Sequence, residues 1–484
     1  MNMFISLIRP WYPKACLLLV TLIMTSSGIF GQSVELDKEL GAENAKLVEV
    51  QMGLVPDKKL TGYVSSIGNR LVAALDENPF DFHFYVADDP IPNAFALPGG
   101  YVYVTRGILS LITTEDELAC VMGHEIIHVT RRHSVRQMRT SILPNLLELP
   151  GNIVGTVVNE DLGNLLNAPI NTSNTLLLSS YSRKHETESD TRGIELAGRA
   201  GYDPLAMGSI LERISLAFEI ITNEKEKKSY FDSHPYTPDR VDKISKTSSK
   251  LEWEAESWIS EDFPAPVDGM VFGNNPAKGV FSEEVFLHPE LNFTITFPEG
   301  WETTNQPATV GAIHEDRQAG IFVGLEDPSQ SPEEYGKKFE QEIIKKHGQK
   351  PSRSEPRMLN NHPGYLVTMT DNSGNEPMYI HILWLKMGGK IFKLIGLAPK
   401  AFEPDLQKSA RSLRPLTSTE QKSIEVHKVR IVRANKKESL EELSKRTGHV
   451  LKPRAVSIMN GLGEKPKLEK DQALKVVVRE KYLK

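Results

Sequence analysis

The chain has 484 residues, 39% of them apolar and 25% charged, and a net charge of −6. Those fractions exclude a disordered or membrane-embedded chain, and the length predicts two to four domains. The mild acidity excludes a nucleic-acid role. The two cysteines are Cys16, in an N-terminal segment with the look of a leader, and Cys120, so a mature chain has no intramolecular disulfide.

At the start, Arg9 and Lys14 precede an apolar run over residues 15–24, and the small residues Ser26, Ser27, Gly28 and Gly31 follow. A basic segment, about ten apolar residues and a small-residue exit describe a secretory signal peptide, and the run is short of the roughly 20 residues a membrane span needs. Residues 1–31 are therefore expected to be a signal peptide. The chain is expected to be exported to the periplasm or cell envelope, with an uncleaved membrane anchor as the alternative.

Residues 32–250 alternate helical patterns with one strand cluster. Residues 101–104, beside Gly99 and Gly100, alternate aromatic and β-branched side chains. An edge strand there would accept an extended peptide as an added strand; a buried strand is the alternative. Thr114 and Glu117 then read as a capping box opening a helix that should run to about Arg139.

That helix carries His124, Glu125 and His128 as His-Glu-x-x-His. Positions i and i+4 share a helix face, so two imidazoles can grip one metal ion and the carboxylate can act on a metal-activated water. A catalytic zinc needs a third protein ligand. The spacing of Gly and His at seven and ten residues after the first His fails, because Arg131 and Ser134 stand there. His133 should lie about 180° round the helix, facing away. Cys120, one turn before His124, reads as a packing residue. Residues 142–180 are apolar and rich in Gly and Asn; they should cover the cleft as a lid, or pack on the core.

A second helical pattern begins near Ser182 and closes at Gly201. Glu186 and Asp190 are four apart and share a face. Glu186 can coordinate zinc, and Asp190 can accept a hydrogen bond from a ligand imidazole. The alternative is a solvated acidic face, which is also the expectation for Glu188 and Glu195. Residues 252–275, rich in Pro, Gly and acidic side chains, read as a linker.

Between 280 and 416 the pattern predicts strands near 293–297, 364–370, 378–385 and 390–395, with helices at 331–347 and 402–413. This is an antiparallel sheet with helices on one face. Residues 424–484 hold 16 Lys and Arg against 8 Asp and Glu, a net of +8. A strand is expected at 426–432, a short helix at 439–446 and a second strand at 474–478; the plain reading is a solvated basic module.

Taken together, His-Glu-x-x-His and Ser-Arg-x-x-Glu-x-Glu-x-Asp-x-x-Gly about 55 residues later resemble the HtpX/BepA-like zinc metallopeptidases, related to the CAAX prenyl proteases. Ser189 stands where the family commonly has Ala. Residues 93–105 and the His-Pro-x-x-x-x-Arg run from His234 to Arg240 resemble two more family segments. The resemblance covers about residues 35–250 and points to the soluble, exported branch. It implies one Zn2+ on His124, His128 and Glu186, with Glu125 as general base. It also implies that His234 stabilises the transition state or occupies the open zinc position, with Asp190 and Arg240 in support. The Phe-Pro-x-Gly-Trp run ending at Trp301 resembles the PsbP/Mog1-like sandwich, and the C-terminal pattern resembles a LysM module.

The expected fold class is thus α+β. A mostly helical gluzincin metallopeptidase domain with a small sheet (32–250) is followed by a linker (251–279), an α+β PsbP/Mog1-like domain (280–416) and a small LysM-like module (424–484). The implied function is exported endopeptidase action on misfolded or unassembled envelope proteins. The alternative is a latent protease working as a binding or assembly factor. Implied partners are protein or peptide substrates, the outer-membrane assembly machinery and, through the last module, peptidoglycan.

Overall fold

The structure, a computed structural model, describes residues 34–136, 181–221, 230, 234, 238–256 and 263–482, less 315, 317, 318, 373–375, 464 and 465. The expected signal peptide with Cys16 and the expected lid over 142–180 lie outside the described residues. No helix among the described residues is long and apolar enough to cross a membrane.

Helices α1 (Val34–Gln51) and α2 (Lys58–Ala73) come first. Asp57 caps α2 by accepting the N–H groups of Lys59 and Leu60. Strands β1 (His83–Ala87), β2 (Ala94–Leu97) and β3 (Tyr101–Thr105) form a sheet in the order β1-β3-β2. β1 pairs with β3 in parallel, Phe84 opposite Val102, and β2 pairs antiparallel, Ala96 opposite Val102. Both edges of β3 are therefore filled. Residues 101–104 are not the peptide-accepting edge expected of them, because a non-local parallel pairing occupies the side left open by the β2–β3 hairpin.

Helix α3 (Arg106–Leu111) leads into α4 (Glu115–Thr130), which carries the His-Glu-x-x-His motif. Thr114 caps α4 as expected, its hydroxyl accepting the Glu117 N–H. The Glu117 carboxylate returns to the N–H of Thr113, one residue upstream of a reciprocal box. Glu115, Asp116 and Glu117 oppose the positive end of the helix dipole. Every residue from Glu117 to Val129 is buried, Cys120 among them.

α4 stops at Thr130, well short of residue 139. Arg132 adopts φ 57°, the left-handed conformation, which a non-glycine residue takes at a cost. Its guanidinium offsets that cost with two bonds to the buried Asp37 on α1: Nε to Oδ2 at 2.5 Å and Nη2 to Oδ1 at 2.6 Å.

Helices α5 (Arg183–Arg199), α6 (Ala206–Ile221) and α7 (Pro238–Ser248) follow. Ser182 caps α5. α5 lies against α4 at backbone contact through two glycines. A Cβ on Gly123 would fall 2.9 Å from the Gly193 carbonyl oxygen, and one on Gly193 would fall 2.8 Å from the His124 nitrogen. This close approach explains the glycine in the second motif: it sets the distance at which α5 can offer its acidic face to His124.

A small sheet of β4 (Val280–Ser282), β5 (Val285–His288) and β6 (Phe293–Thr296) precedes a seven-stranded antiparallel one. The larger sheet contains β7 (Glu302–Gln306), β8 (Thr309–Ile313) and β9 (Gly320–Glu326). After helix α8 (Pro332–His347) come β10 (Arg353–Leu359), β11 (His362–Asp371), β12 (Met378–Met387) and β13 (Lys390–Ala398), then helix α9 (Glu403–Ser412). The strand order is β10-β11-β12-β13-β9-β8-β7.

Along β12, Ile380, Ile382 and Trp384 point to one face, where Phe339 and Ile343 of α8 cover them. Leu383, Leu385 and Met387 point to the other, against Leu406 of α9 and Phe286 and Ile295 of the small sheet. The expectation of helices on one face fails for this reason: both faces are apolar, so both need cover.

The last unit comprises α10 (Ser418–Ser423), β14 (Glu425–Arg433), α11 (Leu440–Thr447), α12 (Pro453–Met459) and β15 (Ala473–Lys481), with β14 and β15 antiparallel. α12 has no counterpart in the sequence reading. The unit is not merely solvated. Val429, Ile458, Met459 and Val477 join the core formed by α2, α4 and α6. Phe263, Val267 and Met270, from the stretch whose composition marks it as linker, join the same core, and Gly269 and Phe272 donate backbone hydrogen bonds to β14.

Lys475, fully buried, donates to the carbonyls of Ser110 and Ile112 at 2.6 and 2.5 Å, just before the α4 cap. Beside it Arg213 donates to Glu117 and to the Leu111 carbonyl.

Candidate metal centre

Four side chains from three segments converge. His124 and His128 come from α4, Glu186 from the first turn of α5, and His234 from the stretch before α7. One ligand atom from each lies within 4.8 Å of all the others, and all four residues are buried. His124 Nε2 is 3.0 Å from His128 Nε2 and 3.2 Å from His234 Nδ1. Glu186 Oε1 is 3.3 Å from His128 Nε2 and 3.0 Å from His234 Nδ1, and its Oε2 is 3.7 Å from His124 Nε2.

The donor set fits a zinc ion. Atoms about 2.0–2.1 Å from a common ion at tetrahedral angles lie roughly 3.4 Å apart, and the observed separations of 3.0–3.7 Å bracket that value. Asp190 Oδ1 lies 3.0 Å from His124 Nδ1. A proton held there leaves a lone pair on Nε2, aimed at the His128 Nε2. Facing lone pairs in a dry site call for a cation between them.

Arg240, opening α7 from within, makes two bonds to Asp190 at 2.7 and 2.8 Å. It also approaches Glu186 Oε2 at 3.2 Å and donates to the His234 carbonyl at 3.1 Å. His234 is therefore tied to the same Arg240 that holds Asp190. Tyr230 stacks on the His234 ring at 4.5 Å.

Glu125 sits beside the cluster, its Oε1 3.4 Å from His234 Nε2, and neither of its oxygens makes a hydrogen bond among the described residues. Burial raises its pKa, against the lowering effect of His234 and His124. Burial would raise Glu186 too, but His234, His128 and His124 outweigh it and hold that carboxyl well below the usual range. Burial pushes His128 down. For His234 burial is overcome by Glu186 and Glu125, and its pKa rises.

The structure thus brings together His124, Glu125, His128, Glu186, Asp190, His234 and Arg240. It also brings in two residues set aside in the sequence. His133 does not face away: its Nδ1 lies 3.2 Å from His128 Nδ1. The early end of α4 removes the premise of the helical-angle argument. Glu188, taken as a solvated acid, lies 3.4 Å from His133 Nε2 and near Arg131 and Arg192. Burial, then the neighbouring His185, push His133 down to about 4. No local signal could have found this contact, because the turn at Arg132 depends on Asp37, which is distant in sequence.

Residues 58–248 match the description Peptidase family M48. The chain is similar to the beta-barrel assembly-enhancing protease of Yersinia pestis, 32% identical over 195 residues, 38% of this chain and 39% of that protein. It is similar to the mitochondrial metalloendopeptidase OMA1 of Schizosaccharomyces pombe, 31% identical over 242 residues, 48% of this chain and 64% of that protein. The chain therefore spans less than two thirds of the length of these relatives. Among solved structures, cyanobacterial PsbP from Synechocystis sp. PCC 6803 aligns at 12% identity and a TM-score of 0.24, covering 30% of this chain and 98% of that one.

Proposed function

We propose, from the match of residues 58–248 to Peptidase family M48, that this chain is a zinc-dependent endopeptidase of the cell envelope. The observation that carries this reading is the convergence of His124, His128, Glu186 and His234 beside the hydrogen-bond-free carboxylate of Glu125. His124, His128 and Glu186 hold one zinc ion per chain. Zinc supplies a Lewis acid that brings the pKa of water to about 7 and polarises a carbonyl.

Glu125 takes a proton from the attacking water at its carboxylate and delivers it to the leaving amine. Asp190, its Oδ1 3.0 Å from His124 Nδ1, would accept the proton there and so leave the Nε2 lone pair for the metal. His234 acts at two stages. At rest its Nδ1, which lies beside the other three donors, would complete the donor set and keep substrate out. Once displaced from that position, the imidazole would be free to donate to the developing oxyanion. Arg240 couples that movement to Asp190.

The name of the Yersinia pestis relative, a beta-barrel assembly-enhancing protease, supports a partner in outer-membrane assembly, and misfolded or unassembled envelope proteins are the substrates we infer. A signal peptide at 1–31 would deliver the chain to the periplasm. The buried His234 favours a second reading, in which the protease is mostly latent and the chain works as a binding or assembly factor.

One variant separates the two. Purified Glu125→Gln should keep one zinc per chain and lose about 10²–10⁴-fold in cleavage of an unfolded outer-membrane protein, the usual worth of a general base. Cleavage at the wild-type rate would overturn the mechanism. A biological effect that survives the loss of cleavage would hand the role to the assembly-factor reading.

A further inference from the structure

We propose that His133 is a positioning residue for the metal site, taking the Nδ1 proton of His128 at its own Nδ1 and passing the interaction on to Glu188. The inference rests on the zinc reading above and goes beyond it. His128 turns Nε2 toward His124 and Glu186. A neutral imidazole offering its lone pair there must carry its proton on Nδ1. That N–H is buried, and leaving it without an acceptor costs more than a hydrogen bond contributes.

His133 Nδ1 stands 3.2 Å away. Only one pair of tautomers avoids two N–H groups pointing at each other: His133 accepts at Nδ1 and carries its own proton on Nε2. That proton faces Glu188 Oε2 at 3.4 Å. The ring of His133 cannot swing aside. It is wholly buried, stacks on His185 with centroids 4.3 Å apart and planes 11° apart, and has Ser189 Oγ 3.3 Å from its Nδ1. Glu188 is steadied by Arg131 Nε at 3.3 Å and Arg192 Nε at 3.4 Å.

The two zinc-facing histidines therefore have unequal supports. His124 meets a carboxylate directly, Asp190. His128 meets one through an intervening imidazole. What carries His133 to its post is the left-handed turn at Arg132, held by Asp37 of α1. An acid at the half-buried rim is in this way connected to a ligand in the dry interior, and α1 becomes part of the metal site without touching it.

The test uses the full chain and two readouts: zinc affinity by competition with a chromophoric chelator, and the visible spectrum of the cobalt-substituted protein. His133→Ala should weaken zinc binding about 10–100-fold, the usual cost of a lost ligand support, and change the cobalt spectrum. His133→Asn, whose side-chain oxygen can replace Nδ1 as acceptor, should return affinity to within about threefold of wild type. Glu188→Gln should weaken it less than His133→Ala, since an amide oxygen still accepts.

Wild-type affinity and an unchanged spectrum in His133→Ala would overturn the relay while leaving the zinc site standing. Should His133→Ala not fold, an Asn variant that folds but binds zinc at least tenfold more weakly than wild type would overturn the relay equally. A wild-type chain that binds no zinc would overturn both readings.

Discussion

At the first turn of α4, Glu117, Arg213 and Lys475 bury one carboxylate and two basic side chains. Two turns further on, His124, Glu125, His128, Glu186 and His234 bury two carboxylates and three imidazoles. At the first place each of these side chains meets a partner. Lys475 donates to two carbonyls, Arg213 to Glu117 and a carbonyl, and Glu117 accepts from Thr113. At the second, both Glu125 oxygens and His234 Nε2 make no hydrogen bond among the described residues. Buried polar groups are ordinarily satisfied. The first cluster closes on itself, whereas the unpartnered atoms of the second fit the metal site proposed above. The same helix carries both.

The contrast can be broken first at its most charged point. Arg240→Leu leaves Asp190 and Glu186 buried without their cation, which costs about 3–5 kcal/mol when one partner of a buried pair is removed. Urea denaturation should show that loss, and a variant within about 1 kcal/mol of wild type would mean that Arg240 is not what balances the two acids. Metal removal comes next. With free zinc at about 100 times its Kd, chelation should lower wild-type stability by roughly 2.7 kcal/mol, and a melting temperature indifferent to chelator would count against an open site.

The smallest effect belongs to the satisfied cluster. Lys475→Met strands two carbonyls, worth about 1–3 kcal/mol, and the loss should be the same with and without chelator. It should also depend on pH. Burial holds the folded Lys475 well below its ordinary pKa. Below about 10.4 the unfolded chain takes up a proton that the folded one refuses, so wild-type stability falls with pH from there downward. The methionine variant escapes that penalty. Its deficit should be largest near pH 10 and shrink toward neutrality, and a deficit that grows as pH falls would reverse the sign.

What the sequence made legible was local. Periodicity placed His124 with His128 and Glu186 with Asp190 on shared helix faces, and Thr114 marked where α4 begins, because these depend on neighbours three or four residues apart. The two faces were brought together by the glycine contact between α4 and α5, which the second motif carries as Gly193. What stayed hidden was long-range. Arg132 carries no mark of a left-handed turn, since its conformation is stabilised by Asp37, 95 residues away. β3 reads as a possible edge until β1 is found beside it. Lys475 reads as one more surface charge in a basic segment; its burial follows from a dock that no local pattern encodes.

That dock has a kinetic consequence. Lys475 lies 365 residues after the Ser110 carbonyl it holds. At a synthesis rate of about 5–20 residues per second, the two emerge roughly 20–70 s apart. Throughout that interval the carbonyls before α4 lack their donor, and the apolar surface awaiting Val429, Ile458 and Val477 stays uncovered. Helix α4, laid down early, is finished only when residues far downstream have emerged, and its packing waits on Lys475.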